Sequence, residues 1–130
     1  MNLSFASLWE KISDLIPEED ALICGDDVLS WKEFDVRASK LASALIENGL
    51  SKNSKIAIYL NNSNDYLIAQ YAIFKIDGCP INVNYRYVED ELTYLLENSD
   101  SEAVFFHSTY SNRIDNIKSS LPNIKLWVEV

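Results

Sequence analysis

Three polar side chains follow a short apolar run near the middle of the chain, where they are candidates for ligand binding. The run Cys79–Val83 has the length and composition of a buried strand, and Asn82, Asn84 and Arg86 lie at or just beyond its carboxyl end. Open α/β sheets bind their ligands at that edge of the strands. Position alone therefore makes these three residues candidates.

A structural role is the simpler interpretation of this region. We expect Asn84 to hydrogen-bond within its loop and Arg86 to pair with Glu89 or Asp90. The acidic group Glu89, Asp90 and Glu91 begins a predicted helix, where the macrodipole favours each negative charge by about 0.3–1 kcal/mol. A metal site or an acid/base pair would need convergent ligands that the sequence does not show.

His107 is the only histidine, and it follows the apolar run Ala103–Phe106. With Ser108 and Thr109 beside it at the end of a predicted strand, we expect a histidine that hydrogen-bonds within a loop. A Ser-His-acid hydrolase of the α/β type would need a Gly-x-Ser-x-Gly nucleophile elbow, and the chain contains none.

Six tyrosines raise the possibility of a stacking surface or a ligand groove. Tyr66 and Tyr71 fall on the most apolar helix-like segment and Tyr59 in an apolar strand, so we expect core packing for the set. These six of the chain's seven tyrosines are Tyr59, Tyr66, Tyr71, Tyr85, Tyr87 and Tyr94.

Glycine is too scarce for a nucleotide-binding loop. Glycines occupy only positions 25, 49 and 78. With that spacing, the chain contains neither a glycine-rich phosphate-binding loop nor the Gly-x-Gly-x-x-Gly motif of dinucleotide-binding proteins.

Length and charge exclude other classes of protein. A chain of 130 residues fits one domain with a core of its own. Acidic residues outnumber basic ones by 20 to 11, for a net charge of −9, and the basic residues are scattered, which argues against nucleic acid and anionic membranes. The most apolar segment, Tyr66–Ile76, is about half the ~20 residues of a membrane span, so we predict no transmembrane segment.

The two cysteines predict a reducing environment. Cys24 and Cys79 are far apart in sequence, without a Cys-x-x-Cys pattern or a histidine at ligand spacing, and no secretory signal begins the chain. We expect both thiols to be core residues and the protein to be cytoplasmic.

The N-terminal third predicts a helix, a hairpin and a second helix. Six apolar residues recur at helical spacing between a Ser4 cap and Pro17, namely Phe5, Leu8, Trp9, Ile12, Leu15 and Ile16. Ala21–Cys24 and Val28–Leu29 flank a turn-forming group and predict a small hairpin. Ser30 and Glu33 have capping-box spacing, so a helix should span about residues 31–48, with Gly49 as its left-handed terminating residue.

Strands and helices alternate along the rest of the chain. Ile56–Leu60 predicts a strand covered on both faces, and Tyr66–Ile76 a helix between layers that Gly78 ends. Further strands are predicted at residues 79–83, 103–106 and 124–130, with helices at 89–98 and 111–120. This order predicts a doubly wound, mainly parallel α/β sheet flanked by helices, with an N-terminal helix and small hairpin, in a single unit covering residues 1–130.

Four stretches of the sequence resemble one family when they are taken in order. The run Gly78–Leu96, with its Asn-Tyr-Arg triplet and Glu-Leu pair, is similar to a run in the N-terminal region of the AMP-forming acyl-CoA synthetases, within the adenylate-forming enzymes. Leu29–Phe34, Ala42–Gly49 and residues 55–63 resemble the hairpin, helix and strand with its turn that the family places before that run.

The resemblance implies ATP-dependent activation of a carboxylic acid, such as a fatty acid, to an acyl-adenylate and then to its coenzyme A thioester. ATP, Mg²⁺ and CoA are the expected cofactors of that parent enzyme. The family's Ser/Thr/Gly-rich loop, its adenosine-binding residues and its C-terminal lysine belong to segments absent from residues 1–130. We therefore expect no catalytic, cofactor-binding or metal-binding residue in this chain.

Two interpretations of the whole chain follow. In the first, it is an N-terminal scaffold fragment of such a synthetase, whose partner is the remainder of the enzyme. The alternative is a free-standing, non-catalytic α/β interaction module derived from that fold. A two-component receiver domain has a similar layout, but it needs acidic residues at strand ends, and Ile56–Leu60 runs into Asn61 and Asn62 instead.

Overall fold

The computed structural model describes residues 3–130 as two small β-structures and a layered set of helices. The helices and strands are α1 (Phe5–Leu15), β1 (Asp20–Cys24), β2 (Asp27–Ser30), α2 (Trp31–Glu47), β3 (Lys55–Tyr59), α3 (Asn64–Lys75), β4 (Cys79–Asn82), α4 (Glu89–Asn98), β5 (Ala103–Phe106), α5 (Ser111–Ile117) and β6 (Leu126–Glu129). Short 3-10 turns at Ser108–Tyr110 and Lys118–Ser120 flank α5.

The main sheet is parallel and has the strand order β4-β3-β5-β6, while β1 and β2 form a separate antiparallel hairpin. Ile58 on β3 is paired with Asn82 on β4 and with Phe105 on β5. Because the chain crosses from β4 over β3 to β5, the loops after β3 and β5 lead to helices on opposite faces. The predicted doubly wound α/β fold with an N-terminal helix and hairpin is confirmed.

Strand β3 is the centre of the core. Every residue from Ile56 to Tyr59 has no exposed surface. Ile56 and Ile58 pack against α2 and α3 on one face, and Ala57 and Tyr59 pack against α4 and α5 on the other. A nearly continuous apolar run is what two covered faces require, so the sequence pattern predicted this strand correctly.

Helix α1 packs on the outside of α2 and α3 through an aromatic contact. Its Trp9 ring lies 5.7 Å from Phe34, 5.1 Å from Tyr71 and 5.7 Å from Phe74, measured between ring centroids. The Ser4 cap is confirmed, since Ser4 Oγ accepts a hydrogen bond from the backbone of the first helical turn. Much of the predicted apolar face is nevertheless uncovered: Phe5, Leu8, Leu15 and Ile16 are 62%, 46%, 71% and 43% exposed.

A polar network joins the same three helices. Lys75 Nζ on α3 lies 2.8 Å from both Glu10 Oε1 on α1 and Asp35 Oδ1 on α2. The Tyr71 hydroxyl donates to Asp35 Oδ1 at 2.7 Å. Because the Lys75 side chain is largely buried, removal of one carboxylate would leave a charge without full compensation.

The capping box that starts α2 is confirmed in both directions. Glu33 N donates to Ser30 Oγ at 3.2 Å, and Ser30 N donates to Glu33 Oε2 at 2.8 Å. The helix ends at Glu47, and Gly49 has a φ of +85°, as its predicted left-handed role requires.

The end of α3 differs from the prediction. The helix ends at Lys75, and Asp77, with a φ of +56°, adopts the left-handed conformation after it, whereas Gly78 does not. Aspartate tolerates that region better than most residues. Gly78 instead fits a close approach: a Cβ there would lie 3.0 Å from Ile73 Cγ2 and 3.1 Å from the Ser54 carbonyl oxygen, tighter than most Cβ contacts.

The prediction that both cysteines are core residues is wrong. Cys24 and Cys79 are exposed free thiols. Cys24 ends a strand of the surface hairpin, and Cys79 begins β4, which is an edge strand with one uncovered side.

Two further boundaries differ from the prediction by a few residues: α5 ends at Ile117 and continues as a 3-10 turn, and β6 begins at Leu126.

Substitutions at Gly49 test the left-handed end of α2. Among residues 3–130, no atom outside Gly49 and the neighbouring backbone lies within 4 Å of the position that a Cβ would occupy, so an added side chain meets only the backbone penalty. We expect Gly49→Val to lower the free energy of unfolding by about 1 kcal/mol more than Gly49→Asn, because asparagine tolerates a positive φ. Urea unfolding curves measure the difference, and equal stabilities would contradict this helix boundary.

Truncation of Ile58 tests the two-sided core. We expect Ile58→Ala to reduce the free energy of unfolding by about 2–5 kcal/mol, through lost apolar contact and the cavity left behind. Ile46→Ala on α2 is the matched control, since Ile46 is 59% exposed and should change stability by less than about 0.5 kcal/mol. Similar urea midpoints for the two variants would contradict the central position of β3.

Candidate active-site edge

The carboxyl edge of the parallel sheet contains a crevice between the loops that follow β3 and β5. These loops lead to opposite faces, and a crevice at such a switch point is where open α/β sheets bind ligands. Its volume is about 270 Å³. The residues that line it are Leu60, Asn61, Ser63, Asp65, His107, Thr109 and Val130.

His107 stands on the β5 side of this crevice and bonds locally, as predicted. Its Nδ1 accepts the Thr109 N–H at 3.1 Å and lies 3.0 Å from Thr109 Oγ1. This hydrogen bonding closes the turn that begins after β5.

Next to the crevice, Tyr59 and Arg113 form a hydrogen-bonded pair. Tyr59 is the last residue of β3, and its hydroxyl donates to the Tyr87 carbonyl at 2.6 Å. Arg113 Nη1, on α5, donates to the Tyr59 hydroxyl oxygen at 2.8 Å and to the Tyr87 carbonyl at 3.2 Å. The pair therefore connects β3 and α5 to the loop between β4 and α4.

Tyr110 extends this connection to the crevice. Its ring stacks on Tyr59 with the centroids 4.7 Å apart, and its hydroxyl donates to Asn61 Oδ1 at 2.6 Å. The guanidinium carbon of Arg113 lies 5.1 Å from the Tyr110 ring centroid. All the loops at this edge of β3, β4 and β5 are thus joined by side chains.

Burial and the neighbouring cation act in opposite directions on the Tyr59 phenol. Burial is the larger effect and raises the pKa of Tyr59 above its ordinary value of 10.0, while Arg113 lowers it. The hydrogen bond to Tyr59 raises the pKa of Arg113. At neutral pH the phenol keeps its proton for the Tyr87 carbonyl, and the guanidinium stays charged.

The three candidate ligand-binding residues, Asn82, Asn84 and Arg86, each make different contacts and do not form a common site. Asn82 is exposed and accepts a hydrogen bond from the Tyr66 hydroxyl. Asn84 Oδ1 accepts the Arg86 N–H at 2.9 Å, which confirms the expected loop hydrogen bond. The expected ion pair of Arg86 is wrong, because within residues 3–130 its guanidinium lies against the Tyr85 ring at 5.8 Å and pairs with no carboxylate.

The acidic residues at the start of α4 serve the helix. Glu91 Oε2 accepts the Val88 N–H at 2.8 Å, which satisfies one of the free donors at the helix end. In the described part of the chain, no group of three or more histidine, cysteine, aspartate or glutamate side chains is placed to hold a metal ion.

The expectation of core packing holds for only some of the tyrosines. Tyr59 and Tyr71 are fully buried. Tyr94 is 70% exposed and Tyr85 is 38% exposed, so for these two the expectation is wrong. Tyr94 lies on the outer side of α4, away from the row of Leu92 and Leu96 that packs on the sheet.

Sequence analysis missed Arg113 and Tyr110. The available signal was their spacing of three residues near the start of a helix that follows a buried strand, which places both side chains on one face. Nothing in the sequence indicated that this face would meet the phenol of Tyr59, more than 50 residues earlier, across two parallel strands.

Comparison with known proteins agrees with this architecture. Residues 10–129 match the family model of the AMP-binding enzymes, and the chain belongs to that family. It is 40% identical over 123 residues to a medium/long-chain-fatty-acid–CoA/3-oxocholest-4-en-26-oate–CoA ligase of Mycobacterium marinum, which covers 95% of this chain and 22% of that ligase. It is 39% identical over 130 residues to the 3-oxocholest-4-en-26-oate–CoA ligase of Rhodococcus rhodochrous, covering all of this chain and 23% of that ligase.

Two solved structures share the fold. The N-terminal domain of FACL13 from Mycobacterium tuberculosis superposes with a TM-score of 0.92 at 18% identity, covering 99% of this chain and 34% of that one. The long-chain-fatty-acid–CoA ligase FadD1 from Archaeoglobus fulgidus gives a TM-score of 0.92 at 20% identity, with 100% and 28% covered. The chain therefore spans only the N-terminal part of these relatives, between 22% and 34% of their length.

Over residues 3–130, no helix combines the length and the apolar character needed to cross a bilayer.

Alkaline titration tests the burial of the tyrosines. Burial raises the pKa of Tyr59, Tyr66 and Tyr71. The folded chain should keep these phenols protonated above pH 10, where the unfolded chain ionises them. The contribution of these three groups to stability is therefore fully present below pH 10 and is lost as the pH rises further. Just above pH 10, we expect the folded chain to show fewer ionised tyrosines than the chain in urea, by absorbance at 295 nm. Tyr71→Phe should make this deficit smaller, and an unchanged deficit would contradict the burial of the Tyr71 phenol.

Proposed function

We propose that this chain is the N-terminal scaffold of an ATP-dependent acyl-CoA ligase and is not catalytic by itself. The parent enzyme converts a fatty or related carboxylic acid, ATP and CoA to acyl-CoA, AMP and pyrophosphate. The observation that carries the proposal is the match of 95% of this chain to 22% of a fatty-acid and steroid-acid CoA ligase. Because the names of two relatives include the steroid carboxylate 3-oxocholest-4-en-26-oate, we include steroid acids among the candidate substrates of the parent enzyme.

We propose further that residues 1–130 form a single α/β unit within the AMP-binding domain. The continuous four-stranded sheet supports this, since the clusters on its two faces draw on α2 and α3 from one side and on α4 and α5 from the other. The uncovered apolar side chains of α1 and the open edges at β4 and β6 supply surfaces that the remainder of a ligase could cover.

The residues of this chain do not fit a complete site for ATP, Mg²⁺ or CoA. The three glycines occur singly, at helix and turn ends and at a close backbone approach, and none belongs to a loop of backbone donors around a phosphate. No carboxylate cluster within the described residues suits Mg²⁺. A surface with a net charge of −9 also opposes the approach of polyanions. We therefore assign no step of the reaction to residues of this chain.

The rival proposal is a free-standing interaction module with the same fold. The exposed apolar side chains of α1 would then bind a separate protein partner. The coding sequence beyond Val130 separates the two proposals: a Ser/Thr/Gly-rich loop with a lysine supports the ligase, and a stop codon directly after Val130 supports the module. The reducing cytoplasm is the proposed location for either, as the simplest setting for two exposed free thiols.

Pyrophosphate exchange tests whether the chain is catalytic alone. The purified 130-residue chain should not incorporate labelled pyrophosphate into ATP in an acid-dependent manner, even with saturating Mg²⁺ and a panel of fatty and steroid acids. Adenylation relies on preorganised donors and cations around the phosphates, which this chain lacks. The full-length parent is the positive control, and acid-dependent exchange by residues 1–130 would refute the scaffold proposal.

A further inference from the structure

The loop between β4 and α4, residues 83–88, is held at its carbonyl groups by two side chains from distant segments. The Tyr87 carbonyl accepts one hydrogen bond from the Tyr59 hydroxyl at 2.6 Å and another from Arg113 Nη1 at 3.2 Å. The Tyr85 carbonyl lies 3.5 Å from Arg113 Nη1, at the limit of a hydrogen bond. We call Tyr59 and Arg113 the loop clamp.

The acceptors of Arg113 are neutral. Its Nη1 donates to the Tyr59 hydroxyl oxygen and the Tyr87 carbonyl and lies 3.5 Å from the Tyr85 carbonyl, and none of the ion pairs among residues 3–130 includes Arg113. The rigid guanidinium can hold several acceptors in fixed directions, which a flexible lysine cannot reproduce. Stacking on Tyr110 limits its own rotation. The clamp therefore holds the loop carbonyls in fixed positions as well as stabilising the closed loop.

The clamped loop presents an exposed cation at the carboxyl edge of the sheet. Asn84 lies between the end of β4 and the Tyr85 carbonyl, Arg86 lies between the Tyr85 and Tyr87 carbonyls, and both residues are exposed. The side chain of Arg86 rests on the Tyr85 ring and has no carboxylate partner within the described residues. Its position is therefore set by the loop backbone that the clamp holds.

We propose that Arg113 is a positioning residue, which acts with Tyr59 to fix the 83–88 loop and so sets where Arg86 stands at the ligand-binding edge. The clamp is a property of this chain alone. Its effect on substrates rests on the proposed function.

Limited proteolysis of the 130-residue chain tests the clamp. Trypsin cleaves after Arg86, inside the loop, and the rate under native conditions follows the population of open loop. With its hydrogen bonds from Arg113 removed, the loop should open more often, so Arg113→Gln should raise the rate of cleavage after Arg86 about tenfold. Arg113→Lys and Tyr59→Phe each keep part of the clamp and should give smaller increases of about threefold or less. The fragment ending at Arg86 is quantified by mass spectrometry.

Two references separate a local effect from general destabilisation. Cleavage after Arg37, within α2 on the opposite face of the sheet, reports global opening and should change by less than twofold. Lys40→Gln, which removes one exposed positive charge from α2, should leave cleavage after Arg86 unchanged. The proposal is overturned if Arg113→Gln changes cleavage after Arg86 by less than twofold, or if cleavage after Arg37 rises in parallel.

Kinetics of the full-length ligase test the consequence for substrates. With ATP, CoA and acid varied in turn, Arg113→Gln should raise the KM of at least one of these anionic substrates about fivefold while kcat stays within about twofold. Arg113→Lys should restore part of the loss. A fall in kcat with every KM unchanged would contradict the positioning role. A wild-type enzyme without activity would contradict the proposed function instead, and the proteolysis result would still decide the clamp.

Discussion

The structure depends on the pairing of β3 with a parallel strand on each side while both of its faces are covered. Four successive residues with no exposed surface, from Ile56 to Tyr59, leave the backbone of this strand no access to water. Its polar groups must therefore bond to β4 and β5. That pairing fixes the strand order, and the right-handed crossovers then place α3 on one face and α4 and α5 on the other.

The carboxyl edge takes its shape from the same constraint. Alternation along β3 directs Ile58 towards α2 and α3 and Tyr59 towards α4 and α5, so the last buried residue brings a phenol to the edge. A buried hydroxyl needs a partner, and the Tyr87 carbonyl and Arg113 supply both an acceptor and a donor. A polar group required for packing therefore organises the loops where a ligand would bind.

The polar side chains at the carboxyl edge of this AMP-binding family member have mainly structural partners. The chain matches about a fifth of the length of its ligase relatives. Within that share, polar side chains at the edge mostly bond to one another or to backbone, as Asn61 does with Tyr110 and His107 with Thr109. An edge of this kind is suited to support reacting groups supplied by other segments, which accords with the proposed scaffold role.

Local patterns were sufficient to determine most of the elements and the family. The bounds of α4 and β5 and the capping box of Ser30 and Glu33 depend on neighbouring residues alone, and all agree with the structure. The tertiary structure decided the rest, because exposure and long-range partners depend on which strand lies at an edge and which helix lies outermost. Cys79 is exposed on an edge strand, and Arg113 meets Tyr59 only because β3 and β5 are neighbours. The spacing of residues in the sequence does not indicate which strands are neighbours, so the contact between Arg113 and Tyr59 could be identified only from the tertiary structure.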